Sequence, residues 1–198
     1  MEYLSQSIAD FYVKRNIIEA DKKELYKCGV SLILNDILTF SIVIILSALL
    51  GNIRFSFEFL ITFCFTRVFC GGFHARKTYI CRFTMLLTFS LTVLISFALR
   101  NTKPEVLCII LAAAFVILLP LIPVKHPNKE LGEEDIKKNR KKGIISFVLF
   151  SLTSVFVHQL FSKQDGIIIA LSLAAVTVLA IIGTITNGRS ENNEEAYR

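Results

Sequence analysis

The stretch that decides the fold is Val30–Leu50, VSLILNDILTFSIVIILSALL, 21 residues whose only charge is Asp36. An α-helix crossing the hydrocarbon layer of a bilayer needs about 20 predominantly apolar residues. A half-buried helix of a soluble domain would return polar residues with a period of about 3.6, and this run does not. Five further runs follow it, at Phe55–Phe69, Phe83–Leu99, Val106–Val124, Ile144–Phe161 and Ile167–Thr186. Phe55–Phe69 is the poorest, because it holds Glu58 and Arg67. Val106–Val124 follows Pro104 and carries Pro120 and Pro123 at its far end.

The bulk composition agrees. Of 198 residues, 54% are hydrophobic and 19% charged, with a mean hydropathy of +0.60. Ordinary soluble domains run at roughly 45–50% apolar and about 25% charged. Six spans consume roughly 120 residues, which leaves short loops and no room for a soluble domain. A secreted factor, a soluble enzyme and a disordered or coiled-coil chain are excluded. The fold class is an all-α polytopic membrane protein, with about six transmembrane helices and an amphipathic helix at its N-terminus.

Residues 1–29 carry charge throughout and lack the apolar core of a signal peptide. Leu4, Ile8, Phe11, Tyr12 and Ile18 fall near one helical face, which suits an interfacial helix with Lys and Arg on its wet side. The organisation is therefore an interfacial segment 1–29, a membrane domain 30–187 and a tail 188–198. Orientation follows from the basic residues. Of 22 Lys and Arg, 17 fall on the side of the two termini, segment 70–82 and loop 125–143, against 4 on the other side. That asymmetry places both termini in the cytoplasm. The net charge of +6 is explained by topology, so nucleic acid is not an expected partner.

Five cysteines, at 28, 64, 70, 81 and 108, are an odd number lying in or beside apolar runs, which argues against a disulfide framework. Cys28, Cys64 and Cys108 read as small buried hydrophobes. The stretch that asks for chemistry is Arg67–Cys81, RVFCGGFHARKTYIC, within segment 67–82. It puts an Arg, a Gly-Gly pair, a His and a Cys at the cytoplasmic end of the weakest span. The thiolate is the nucleophilic form of cysteine, and cationic neighbours favour it. A nearby His can protonate a leaving amine, which completes the minimum equipment of a cysteine peptidase.

Spacing imposes a condition. Arg67, His74 and Cys81 recur every seven residues, which in one continuous helix would separate them by about 10.5 Å each. A His–Cys dyad needs a hydrogen bond of about 2.6–3.2 Å. The chain must therefore turn between His74 and Cys81, with a break permitted at Gly71-Gly72 and a turn after His74 at Arg76-Lys77-Thr78. Simpler readings stand beside this one: a packing cysteine, a close helix contact at Gly-Gly, and topology markers at Arg76 and Lys77. A zinc site from Cys64, Cys70, His74 and Cys81 lacks a C-x₂-C pair, so neither metal nor cofactor is expected. Arg67 would hold a substrate carboxylate, stabilise an oxyanion, or pair with Asp36 or Glu58. Asn35, Asp36 and Glu58 are the candidates to orient His74, whereas His126 and His158 are assigned no catalysis.

The pattern Arg-x₄-Gly-x-His-Ala-x₅-Cys, here Arg67, Gly72, His74, Ala75 and Cys81, resembles the signature of the accessory gene regulator B (AgrB) family. The likeness extends over nearly the whole chain, including the amphipathic N-terminus, the six apolar runs and the Lys-rich loop after Pro123–Lys129. The resemblance implies a membrane-embedded cysteine endopeptidase that removes the acidic C-terminal tail of a quorum-sensing propeptide, AgrD. The remainder stays on the Cys as a thioester until a Cys or Ser of the peptide attacks it, releasing a thiolactone or lactone ring. It further implies that His74 and Cys81 are catalytic and that Arg67 and Gly72 are essential. The acidic residues Glu191, Glu194 and Glu195 of the tail have no counterpart in this pattern.

Loop 125–143 carries seven basic residues against four acidic ones. Lys137, Lys138, Arg140, Lys141 and Lys142 form its densest part and read either as attraction to the lipid bilayer or as a dock for an acidic propeptide tail. Two other functions compete with the peptidase: a small transporter, disfavoured by the absence of an internal repeat, and a non-catalytic subunit. A homodimer is compatible with so small a bundle, though no interface can be read from the sequence.

Overall fold

The computed structural model describes residues 2–71, 78–124 and 132–196, and within them the chain is wholly helical. The helices are α1 (Glu2–Lys14), α2 (Lys23–Leu49), α3 (Arg54–Cys70), α4 (Thr78–Ala98), α5 (Pro104–Leu118), α6 (Glu133–Leu160) and α7 (Lys163–Ala196), with a 3₁₀ turn at Ala20–Lys22. Each of the six apolar runs forms a helix, α2 to α7. Four of them, α2, α4, α6 and α7, are long and apolar enough to cross a membrane. α3 and α5, at 17 and 15 residues, are shorter. The chain is a multi-pass membrane protein.

Helix boundaries have local causes. α2 stops where Gly51 takes φ +82°, and α3 stops where Gly71 takes φ +74°. α5 starts with Pro104 in its first turn, where a missing N–H costs nothing. The turn between α2 and α3 is tied by Ser47, which donates to the Asn52 carbonyl at 2.8 Å and accepts from the Ser56 amide at 3.0 Å.

The core is built around α7, which packs against α3, α4, α5 and α6. Ile167, Ile168, Ala170, Leu173, Val176 and Ala180 are buried along it. Facing helices present stripes at helical spacing: Phe55, Phe59 and Phe63 on α3, and Leu107, Leu111, Ala114 and Leu118 on α5. Phe59 stacks on Phe63 at 5.0 Å and meets Phe89 of α4 edge-on at 5.3 Å. The outer faces of α2, α4 and α6 stay apolar and exposed, with Ile37, Ile45, Leu94 and Leu152 among them, as contact with lipid requires.

Three boundaries differ from the sequence reading. The N-terminal segment is two elements. α1 packs through Ser5 and Ala9 onto α2, exposing Leu4 and Phe11, while residues from Lys23 already belong to the first span. Asp10 and Lys23 bridge the two at 2.6 Å. The C-terminal part of the basic loop, from Glu133, is helical and continuous with the fifth span. The tail continues α7 as far as Ala196.

α6 and α7 form a tight hairpin. Ser154 donates to the Gly166 carbonyl at 2.7 Å, and His158 Nδ1 lies 3.0 Å from the Lys163 carbonyl. A methyl group at Gly166 would come within 2.5 Å of His158 Cβ and 2.6 Å of the Ser154 carbonyl. Gly166→Ala is therefore expected to lose about 1–3 kcal/mol of stability through overpacking, read as a lower Tm in nanodiscs. Gly29→Ala, where nothing lies within 4 Å of the added atom, is the control and should stay within about 0.5 kcal/mol of the parent.

Candidate functional site

The candidate residues Arg67 and Cys81 lie where α3 ends and α4 begins. The Gly71 amide closes the last turn of α3 on the Arg67 carbonyl at 2.9 Å, and the left-handed φ of Gly71 turns the chain out of the helix. α4 then starts at Thr78, so Arg67 and Cys81 belong to different helices; the expected turn between His74 and Cys81 begins outside the described residues. Gly72 and His74 lie outside the described residues.

Arg67 is half-buried, with its guanidinium 5.4 Å from the centre of the Phe63 ring. It lies within electrostatic reach of Cys81, Cys64 and Asp36. Arg67 thus feels charge-bearing groups on three helices: Asp36 of α2, Cys64 of α3 and Cys81 of α4. Cys81 occupies the first turn of α4 and is partly exposed. Of the two acids offered to Arg67 by the sequence, Asp36 is the one within its electrostatic reach. Glu58 lies nine residues earlier on α3, about 13 Å along the axis, and faces Asp165 of α7.

Asn35, another candidate to orient the histidine, is engaged elsewhere. It is buried, donates through Nδ2 to the Ser31 carbonyl at 2.8 Å, and accepts through Oδ1 from Arg82 Nη2. This bond ties the first turn of α4, which carries Cys81, to α2. Arg82 reads in the sequence only as a topology marker, and no spacing rule pairs residues 47 positions apart.

The five cysteines are all free thiols. Cys70 is buried, Cys64 and Cys81 are intermediate, and Cys28 and Cys108 are exposed. The expectation that Cys28 and Cys108 are packed is thus corrected. A small apolar side chain suits a lipid-facing surface as well as a core. Among the described residues no three His, Cys, Asp or Glu side chains are placed to hold a metal ion.

Lys137, Lys138, Arg140, Lys141 and Lys142 are exposed on the first turns of α6. Lys138 meets Glu134 at 3.7 Å, an exposed pair of small energetic weight. Lys142 reaches back over the Phe69 ring at 5.6 Å, so the basic turns adjoin the end of α3.

Thiol accessibility separates the two cysteines of the segment. A small water-soluble maleimide is expected to label Cys81 at least about tenfold faster than Cys70 in native membranes, read by peptide mass mapping. Equal rates would contradict the burial of Cys70.

Comparisons with known proteins point the same way. Residues 5–185 match the family model described as Accessory gene regulator B. The chain is 23% identical over 187 residues to Protein FsrB of Enterococcus faecalis, covering 89% of this chain and 75% of that one. It is 29% identical over 189 residues to an AgrB-like protein of Lactiplantibacillus plantarum, covering 92% and 89%. No solved structure matches.

Proposed function

From the premise that the chain belongs to the accessory gene regulator B family, a membrane component of quorum sensing, we propose that it is a cysteine endopeptidase and cyclase acting on an AgrD-like propeptide. The observation that carries the reading is that Arg67, at the end of α3, lies within electrostatic reach of Cys81 of α4 and Asp36 of α2 where α3 breaks off. A packing cysteine needs no such neighbours.

In this reading the Cys81 thiolate attacks the carbonyl before the acidic C-terminal tail. His74 donates a proton to the departing amine, the tail leaves, and the remaining peptide is held as a thioester. A Cys or Ser within the peptide gives its proton to His74 and attacks the thioester carbonyl. The ring is released and the Cys81 sulfur returns to its starting state. The positive charge of Arg67 serves the oxyanion or a substrate carboxylate, and Gly72 stands at the glycine position of the family pattern. Cyclisation outruns hydrolysis because the tethered nucleophile has a high effective concentration at a rim that limits water.

The asymmetry of 17 to 4 basic residues supports termini and site on the cytoplasmic side. The organisation into interfacial segment, membrane domain and tail follows from the same layout. Lys137, Lys138, Arg140, Lys141 and Lys142, exposed beside Phe69, form the dock for the acidic tail.

The deciding experiment is intact mass spectrometry of the protein in nanodiscs, incubated with the small acidic-tailed peptide encoded beside it. A hydroxylamine-sensitive adduct on Cys81 and a released tail are expected. Cys81→Ala and His74→Ala should each reduce processing by at least about a thousandfold with normal membrane insertion. A folded protein that forms neither adduct nor cleaved tail overturns the reading.

The dock has its own test. Replacing the five basic residues by Gln is expected to raise KM for the full-length precursor by about tenfold or more, with kcat and topology preserved. An unchanged KM leaves those charges to orientation and lipid alone.

A further inference from the structure

Cys70 and Gly71, the last described residues before the segment that holds His74, sit in a seat made by two other parts of the chain. From one side the Val124 amide donates to the Cys70 carbonyl at 3.0 Å. Gly71 lies so close to Val124 that an added Cβ would be 3.1 Å from the Val124 carbonyl oxygen. From the other side comes Gly143 of α6, where an added Cβ would be 3.1 Å from Cys70 Sγ and 3.7 Å from Ile122 Cδ1. Cys70 and Gly143 are both buried.

Gly143 has a particular place in α6. It follows directly on Lys142, so one continuous helix carries the five exposed basic residues and then the surface against which Cys70 rests. Lys142 already lies over Phe69, the neighbour of Cys70. Close-packed contacts of this kind transmit displacement, because neither side has spare volume to absorb it. A shift of the basic turns would therefore press on Cys70 and on the end of α3.

We propose that Gly143 and Cys70 are positioning residues, forming the contact through which an acidic peptide tail docked on α6 sets the position of the end of α3, which carries Arg67. The inference rests on the peptidase reading above and adds to it a physical link between tail recognition and chemistry.

The test is a size-compensation cycle with the full-length chain in nanodiscs and the acidic-tailed precursor. Gly143→Ala pushes on Cys70 Sγ by a few tenths of an ångström and is expected to lower kcat by about fivefold or more, since a displacement near 1 Å at a reacting centre costs about a hundredfold. KM stays within about twofold, because the basic residues are untouched. Gly143→Ala combined with Cys70→Ala removes the sulfur that the new methyl meets and returns kcat to within about threefold of Cys70→Ala alone. A third measurement separates linkage from simple packing. The parent forms the Cys81 adduct faster with the acidic-tailed precursor than with one whose tail acids are amides, and in Gly143→Ala that difference shrinks to less than about twofold. The proposal is overturned if Gly143→Ala keeps kcat within twofold of the parent, if the double variant is no better than Gly143→Ala, or if the tail dependence survives intact. A parent protein that forms no adduct at all instead removes the peptidase reading.

Discussion

Lipid tails are as apolar as leucine, so a helix in the hydrocarbon layer gains little by exchanging lipid for another helix. What holds such a bundle together is close packing and the hydrogen bonds that closeness permits. In this chain that task falls to α7. Most of its apolar stretch is buried against protein, whereas α2, α4 and α6 keep most of theirs toward lipid. Small residues make this possible, with Ala170, Ser172 and Ala180 fully buried. Gly166 brings α6 against α7, and Thr177 Oγ1 lies 3.4 Å from the Ala114 carbonyl on α5. α3 is fixed against the same post, and so the end of α3, where Arg67 and Cys70 lie, has a defined position. The candidate site is thereby set on a buried scaffold although it lies at the end of a short helix.

Polar residues within the bundle divide into two groups. Ser172, Thr84, Thr88 and Thr39 return their hydroxyls to carbonyls one turn earlier in their own helices, which satisfies them locally. Asn35 and Arg82 bond between helices instead, and Arg67 feels Asp36 and Cys81 on neighbouring helices. Such groups are costly in a membrane, and their gathering beside Cys81 sets this end of α2, α3 and α4 apart. Glu58 and Asp165 form a separate contact, between α3 and α7, well removed from Cys81. His158 serves the α6–α7 turn through the Lys163 carbonyl.

The helices were legible in the sequence because the bilayer demands long apolar runs, and those runs need no knowledge of the neighbours. The break between Arg67 and Cys81 was legible for a similar reason: Gly71 supplies the left-handed residue that ends α3. The continuation of the basic segment into α6 was not, since Lys and Arg suit a helix and a solvated loop almost equally. The Asn35–Arg82 bond and the Cys70–Gly143 contact were also out of reach. Both depend on how separate helices are rotated against one another, and apolarity on every face of a membrane helix erases the stripe that would reveal it. The same loss explains why Cys28 and Cys108 read as buried. The place of His74 and Gly72 rests on the sequence pattern alone.

The continuity of α6 has a consequence for distance. Twenty-eight residues of helix extend about 42 Å, against about 30 Å of hydrocarbon. Some 12 Å of rigid rod, on the order of two turns, therefore stands beyond the layer and holds its charges at a set height above the rim. An extended peptide advances about 3.3 Å per residue. A chain gripped at the top of the rod must spend about four residues before it comes level with the membrane surface. Helix length is thereby converted into a count of peptide residues, a quantity that depends on the rod and not on which side chains the peptide carries.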